Sequence, residues 1–190
     1  MKTVKVGFAM CGSFCTFSKA LEQMEILIKL GYDVIPVMSF NAYSTDTRFG
    51  KANDICDKIR ELCQKDIICT IKDAEPIGPK KITDIMLVAP CTGNTLAKLA
   101  NAVTDTPVTM AVKSHLRQQK PVVITVATND ALGASAQNIG KLMNTRHYYF
   151  VPFGQDNPYE KPNSLVADFS LIPDTLRSAI DHRQLQPVLI

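Results

Sequence analysis

Short apolar runs alternate along this chain with longer segments whose apolar residues return at helical spacing, and that alternation points to βαβ units. A parallel strand covered on both faces has no side to show water, so it reads as an unbroken apolar run. Ile85-Met86-Leu87-Val88-Ala89 is the most continuous such run and predicts the central strand. Val4 to Met10, Asp33 to Met38, Ile67 to Ile71, Val122 to Ala127 and Tyr148 to Val151 predict the others, with Pro36 easier to place at a sheet edge than inside. Helices are predicted over 14–30, 51–65, 95–102, from 107 to a point before Pro121, 131–144 and 173–182. The first carries Phe17, Leu21, Met24, Leu27 and Ile28 on one stripe and stops at Gly31. Thr106-Pro107 opens another, a hydroxyl cap followed by a proline whose missing N–H costs nothing there. Ser39 to Gly50 and Lys72 to Thr83 read as irregular, and Pro152 to Asn163 as a loop or arm able to reach a neighbouring subunit.

The predicted class is therefore a doubly wound α/β fold, Rossmann- or flavodoxin-like, with helices on both faces of a parallel sheet and a C-terminal arm. One domain is expected over residues 1–190, since no linker, repeat or low-complexity tract divides the chain. Lys and Arg exceed Asp and Glu by 21 to 18, a net +3, and the basic residues are scattered, so no nucleic-acid footprint is expected. The N-terminal run Val4 to Cys11 is brief, carries Lys5 and passes straight into a turn, which fits a buried strand better than a signal peptide. No stretch reaches the roughly 18 continuous apolar residues of a membrane span, and a cytoplasmic protein is expected. Cys11, Cys15, Cys56, Cys63, Cys69 and Cys91 form no C-x-x-C pair, so reduced thiols acting as small hydrophobes are expected, and no metal site.

In a doubly wound sheet, ligands lie beyond the carboxyl ends of the strands. The segments there are Cys11-Gly12-Ser13, Ser39-Phe40-Asn41, Pro90 to Thr95, and Ala127-Thr128-Asn129-Asp130. All are rich in small hydroxyl or amide side chains and contain no Lys or Arg. Such segments hold phosphate through backbone N–H groups, hydroxyls and the positive end of the following helix. Each alone is equally a helix cap, and only their convergence would make a site. Gly12 is a single glycine where a dinucleotide fingerprint needs three, and Gly12 to Lys19 lacks the second glycine of a P-loop, so a mononucleotide fits better than NAD or ATP. His115, His147 and His182 sit among polar neighbours and read as surface or capping residues. Cys91 reads as a small filler or a reactive thiol, and Lys98 as a solvated or charge-compensating residue. Asn157 and Lys161 could reach a neighbour's ligand. No general base is evident.

Pro90-Cys91-Thr92-Gly93-Asn94-Thr95-Leu96-Ala97-Lys98-Leu99-Ala100 resembles the P-A-S-x-N-T-x-A-K-x-A segment of the flavoprotein family that includes FMN-dependent cysteine decarboxylases and flavin prenyltransferases. The resemblance implies FMN contacts at Gly12, Ser13, Ser39, Thr92, Asn94 and Thr95, with Thr128 and Asn129 carried by position. The decarboxylases' catalytic His before the central strand has no counterpart in residues 72–90, and their P-x-M-N-x-x-M segment is replaced by Thr128 to Gly133, so decarboxylation is not carried over. Ala89 to Asn101, Thr104 to Ala111, Val151 to Asp156 and Lys161 to Leu165 are similar to the branch formed by dipicolinate synthase B subunits. That branch implies a role in making pyridine-2,6-dicarboxylate during sporulation. It also implies a partner, the A subunit of dipicolinate synthase, similar to NAD(P)-dependent dehydrogenases, a small dicarboxylate substrate, and a homo-oligomer. Two other readings stay open: a non-catalytic scaffold with an anion pocket, and an oxidoreductase that binds NADP in place of FMN.

Overall fold

The computed structural model describes residues 3–190; Met1 and Lys2, which begin the signal-like N-terminus, lie outside the described residues. The strands are β1 (Lys5–Met10), β2 (Asp33–Met38), β3 (Ile85–Cys91), β4 (Val122–Thr128), β5 (Tyr148–Phe150), β6 (Phe153–Gly154) and β7 (Leu165–Ala167). The helices are α1 (Phe17–Lys29), α2 (Phe40–Ser44), α3 (Ala52–Cys63), α4 (Ile71–Ala74), α5 (Gly93–Ala100), α6 (Pro107–Leu116), α7 (Ala136–Met143) and α8 (Ile172–Ile180). Strands β2, β1, β3, β4 and β5 run parallel in that order, the doubly wound arrangement expected. All seven residues of β3 are buried, as its unbroken apolar run requires. Helices α1, α3 and α8 form one group against the sheet and α4 to α7 another, so the core is closed on both faces. Pro36 lies in β2, which pairs with a full strand on one side only.

The structure corrects several boundaries, each for a local reason. Ile67 to Ile71 contributes one bridge, Val37 to Ile68, because Thr70 caps the next turn as helix α4 with its Oγ accepting from the Asp73 N–H. Ser39 likewise caps α2 inside the segment read as irregular. The predicted helix over 131–144 starts only at Ala136, because the Asp130 carbonyl takes the N–H groups of Gly133 and Ser135 into a turn. Tyr148 does not open the last strand. β6 and β7 form an antiparallel hairpin, and β7 pairs with Ala127 and Thr128 at the end of β4. Strands of two and three residues are too short to show a period. The arm thus folds back onto its own sheet.

His115 is a second correction. The sequence expectation put it at a polar surface, yet it is 1% exposed, on the buried side of α6. The Pro121 carbonyl, 3.1 Å away, can only accept, so Nε2 carries the proton and Nδ1 accepts from the Thr83 hydroxyl at 2.8 Å. Both ring nitrogens are satisfied in the neutral form. Burial pushes its pKa down from 6.5 to about 4, against the raising effect of the Pro121 bond. In the unfolded chain the ring takes its proton near 6.5, so stability present above that pH is lost as pH falls toward 4. A His115→Gln variant has no such titration. Urea unfolding of both proteins should show the wild type losing about 2–3 kcal/mol more than the variant between pH 7.5 and 4.5. Parallel pH profiles would show that the ring is not held neutral.

Candidate functional site

Strand order decides what meets at the carboxyl edge. β1 lies between β2 and β3, and β3 between β1 and β4, so the turns that follow these strands are neighbours. The β1 and β3 turns are joined at two points: the Cys11 N–H donates to the Pro90 carbonyl at 3.3 Å, and Thr95 Oγ1 lies 3.2 Å from Cys11 Sγ. Thr92 caps α5, its Oγ1 accepting from the Thr95 N–H at 3.3 Å. The β3 and β4 turns meet at Gly93. A Cβ there would stand 2.7 Å from both Asp130 Oδ1 and Ser135 Oγ and 2.8 Å from Thr128 Oγ1, closer than packed atoms allow. Around that point Asp130 collects hydrogen bonds from Thr128 and Ser135.

These turns enclose one cavity of about 790 Å³, within the range of ordinary cofactor sites. Gly12, Ser13, Thr92, Thr128 and Asn129 line it, so five of the eight positions singled out in the sequence converge there. Ser39, Asn94 and Thr95 do not line it. Ser39 caps α2, whose Asn41 packs near Gly12, and Thr95 is buried behind Thr92. The cavity also receives three cations that the strand-end segments lack: Lys19 from α1, Arg48 from the segment after α2, and Lys161 from the β6–β7 connection. Arg48 lies over the Phe49 ring, 4.8 Å from its centroid, and both line the wall. Lys161 faces Asp156 at 3.8 Å, and a hydrogen bond from Ser164 holds the Asp156 carboxyl below its usual range. The convergence of Lys19 and Arg48 was missed because neither belongs to a strand-end motif. The adjoining Arg48-Phe49 pair in a polar segment was the only local signal.

Other sequence candidates fall elsewhere. None of the three histidines lines the cavity. Lys98 is bound to both carboxylate oxygens of Asp105 at 2.8 and 2.9 Å, which assigns it to a helix-flanking ion pair and not to ligand charge. Cys91 is fully buried, and burial pushes its thiol well above the ordinary range, so it is filler and not a nucleophile. Cys11 is raised to about 11 for the same reason. Cys15, by contrast, is exposed in the cavity wall. Among the described residues no group of His, Cys, Asp and Glu is arranged to hold a metal ion, and no helix is long and apolar enough to cross a membrane.

The model of the family described as Flavoprotein matches residues 1–171. The chain belongs to the flavoprotein family. This flavoprotein is 47% identical over 190 residues to the B subunit of dipicolinate synthase from Bacillus subtilis (strain 168), an alignment covering 100% of this chain and 95% of that protein. It superposes with a TM-score of 0.91 on the crystal structure of the dipicolinate synthase B subunit from Bacillus halodurans C, again at 47% identity, covering 100% of this chain and 98% of that one. A likeness in fold alone, at 18% identity and a TM-score of 0.63, extends to AnUbiX, solved in complex with FMN and dimethylallyl pyrophosphate, and covers 95% of this chain and 88% of that one.

The donor set in the cavity fits a flavin mononucleotide. Hydroxyl and amide side chains line its strand-end side, with the N-terminus of α5 beside Thr92, a donor set suited to a phosphate. Two measurements test this geometry. Gly93→Ala would ordinarily favour a helix by up to about 1 kcal/mol. Here the new methyl meets three oxygens, and chemical denaturation should instead show a loss of about 1–3 kcal/mol; a stabilised variant would mean that the β3 and β4 turns stand apart. Iodoacetamide at pH 8 should label Cys15 in the native protein and leave Cys11 and Cys91 untouched until it unfolds, as peptide mapping would read. Rapid native labelling of Cys91 would contradict its burial.

Proposed function

We propose that this flavoprotein binds FMN in the strand-end cavity and serves as the B subunit of a dipicolinate synthase. In this reading it works in the cytoplasm with a dehydrogenase-like A subunit in the formation of pyridine-2,6-dicarboxylate. The observation that carries the reading is the convergence of Gly12, Ser13, Thr92, Thr128 and Asn129 on one cavity, in a chain that matches a dipicolinate synthase B subunit over its whole length. A bound flavin supplies a two-electron acceptor, suited to converting a dihydropyridine dicarboxylate into the aromatic ring.

The chain's own residues do the holding. Ser13, Thr92 and Thr128 offer hydroxyls, Asn129 an amide, and Gly12 a backbone without a side chain beside the floor. Of the other positions expected as contacts, Ser39 and Thr95 brace the turns and Asn94 is exposed in the first turn of α5. With Cys91 buried and neutral and no histidine in the wall, the exposed Cys15 thiol has no imidazole beside it and the cavity offers no imidazole chemistry, which argues against the decarboxylase reaction. Orientation and charge placement are the protein's contribution. Self-association into a homo-oligomer is part of the proposal by resemblance to the family.

The test is an assay of dipicolinate formation by each of the two chains singly and by both together, with and without added FMN. Product should require both chains, and FMN should raise the rate of preparations stripped of flavin. Full activity without this chain would end the reading; activity that needs it but ignores FMN would leave a scaffold that positions the dehydrogenase-like partner.

A further inference from the structure

The cavity's donors are segregated. Its strand-end lining is Gly12, Ser13, Thr92, Thr128 and Asn129, with one carboxylate, Asp130, that accepts from Thr128 and Ser135. Its cations come from elsewhere in the fold, Lys19 from α1 and Arg48 from the segment between α2 and α3. A phosphate held by hydroxyls and N–H groups at a helix start needs neither of them. Nor are they neutralised within the chain: among the described residues no ion pair engages Lys19 or Arg48, whereas the cavity's third cation, Lys161, faces Asp156. The two carboxylates in the wall are already committed, Asp130 to Thr128 and Ser135, and Asp156 to Ser164 and Lys161. What is left over is two positive charges on separate elements, facing one space.

We propose that Arg48 and Lys19 form a two-point clamp for the two carboxylates of a dicarboxylate in the cavity, apart from the hydroxyl-lined strand ends. The assignment rests on the cofactor-cavity reading above and adds the substrate's anchors to it. The two cations have different parts. The Arg48 guanidinium lies over the face of Phe49, which restricts its plane, so it presents a fork suited to bidentate pairing with one carboxylate. The Lys19 ammonium is a point charge on a flexible stem, able to follow the second carboxylate through small changes of pose. A monocarboxylate of the same ring size satisfies one cation and leaves the other in water, so charge count becomes the basis of selection. Phe49 is a positioning residue, acting through Arg48.

Calorimetric titration of the full chain with pyridine-2,6-dicarboxylate and, separately, pyridine-2-carboxylate tests this, with FMN present and absent. FMN affinity is measured in parallel by flavin fluorescence. The wild type should bind the dicarboxylate at least about tenfold more tightly than the monocarboxylate. Arg48→Gln and Lys19→Gln should each weaken the dicarboxylate about tenfold, and the double variant should erase the preference, while FMN affinity stays within about twofold. Arg48→Lys should recover part of the loss, and Phe49→Ala should reproduce a weaker form of Arg48→Gln. Circular dichroism confirms folding, which these exposed side chains leave intact, and Lys113→Gln serves as a remote charge control. Dicarboxylate binding that is absent from the wild type, indifferent to both substitutions or equal to that of the monocarboxylate overturns the clamp. Failure of FMN to bind, with dicarboxylate affinity still dependent on Arg48 and Lys19, overturns the cofactor reading and leaves the clamp standing.

Discussion

Hydrogen bonding of β3 on both edges, within a layer closed on both faces, is the constraint from which the site follows. A strand with all seven residues buried cannot slide or tilt without exposing apolar surface, so its end is fixed in space. Its neighbours inherit that precision, and their turns emerge side by side. Gly93 shows how tight the junction is: with no side chain, the start of α5 settles against Thr128, Asp130 and Ser135, and a Cβ there would displace their hydrogen-bonded side chains. The cavity is thus a consequence of strand order and of one missing Cβ.

Neutral and charged donors have separate origins in this fold, and the separation has chemical meaning. Strand-end turns are short and need hydroxyls to cap the helices that follow, so they are populated by Ser, Thr and Asn. Long cationic side chains come from a helix and from two connections lying farther out. The proposed mononucleotide cradle and the proposed anion clamp can therefore coexist without one charge set quenching the other.

Burial removes reactivity wherever it is complete. Cys11 and Cys91 keep their protons because a thiolate would be desolvated, and His115 stays neutral between Thr83 and Pro121 for the same reason. These residues brace the turns or the helix layer. Their chemistry is spent on packing, in keeping with a site that holds and orients its ligands.

The alternation of apolar runs determined the fold class, because burial on both faces of a parallel strand, or along one stripe of a helix, leaves a period that local sequence must carry. β2 was read to its ends, β1 to within one residue, and the cap at Thr106 was legible because a hydroxyl before a helix has a local job. Ser39 was read as a ligand contact and is a cap, a distinction local sequence does not draw, since both tasks call for the same hydroxyl. The β6–β7 hairpin was hidden because two or three residues show no period, and its pairing partner lies at the end of β4, far away in the chain. His115 looked like a surface residue because its partners, Thr83 and Pro121, belong to other elements. The sequence by itself determined the layers and the neutral donors at the strand ends. Only the tertiary structure decided that Lys19 and Arg48 share one cavity, since nothing local correlates two side chains whose meeting depends on how a helix and a distant connection pack against the same sheet edge.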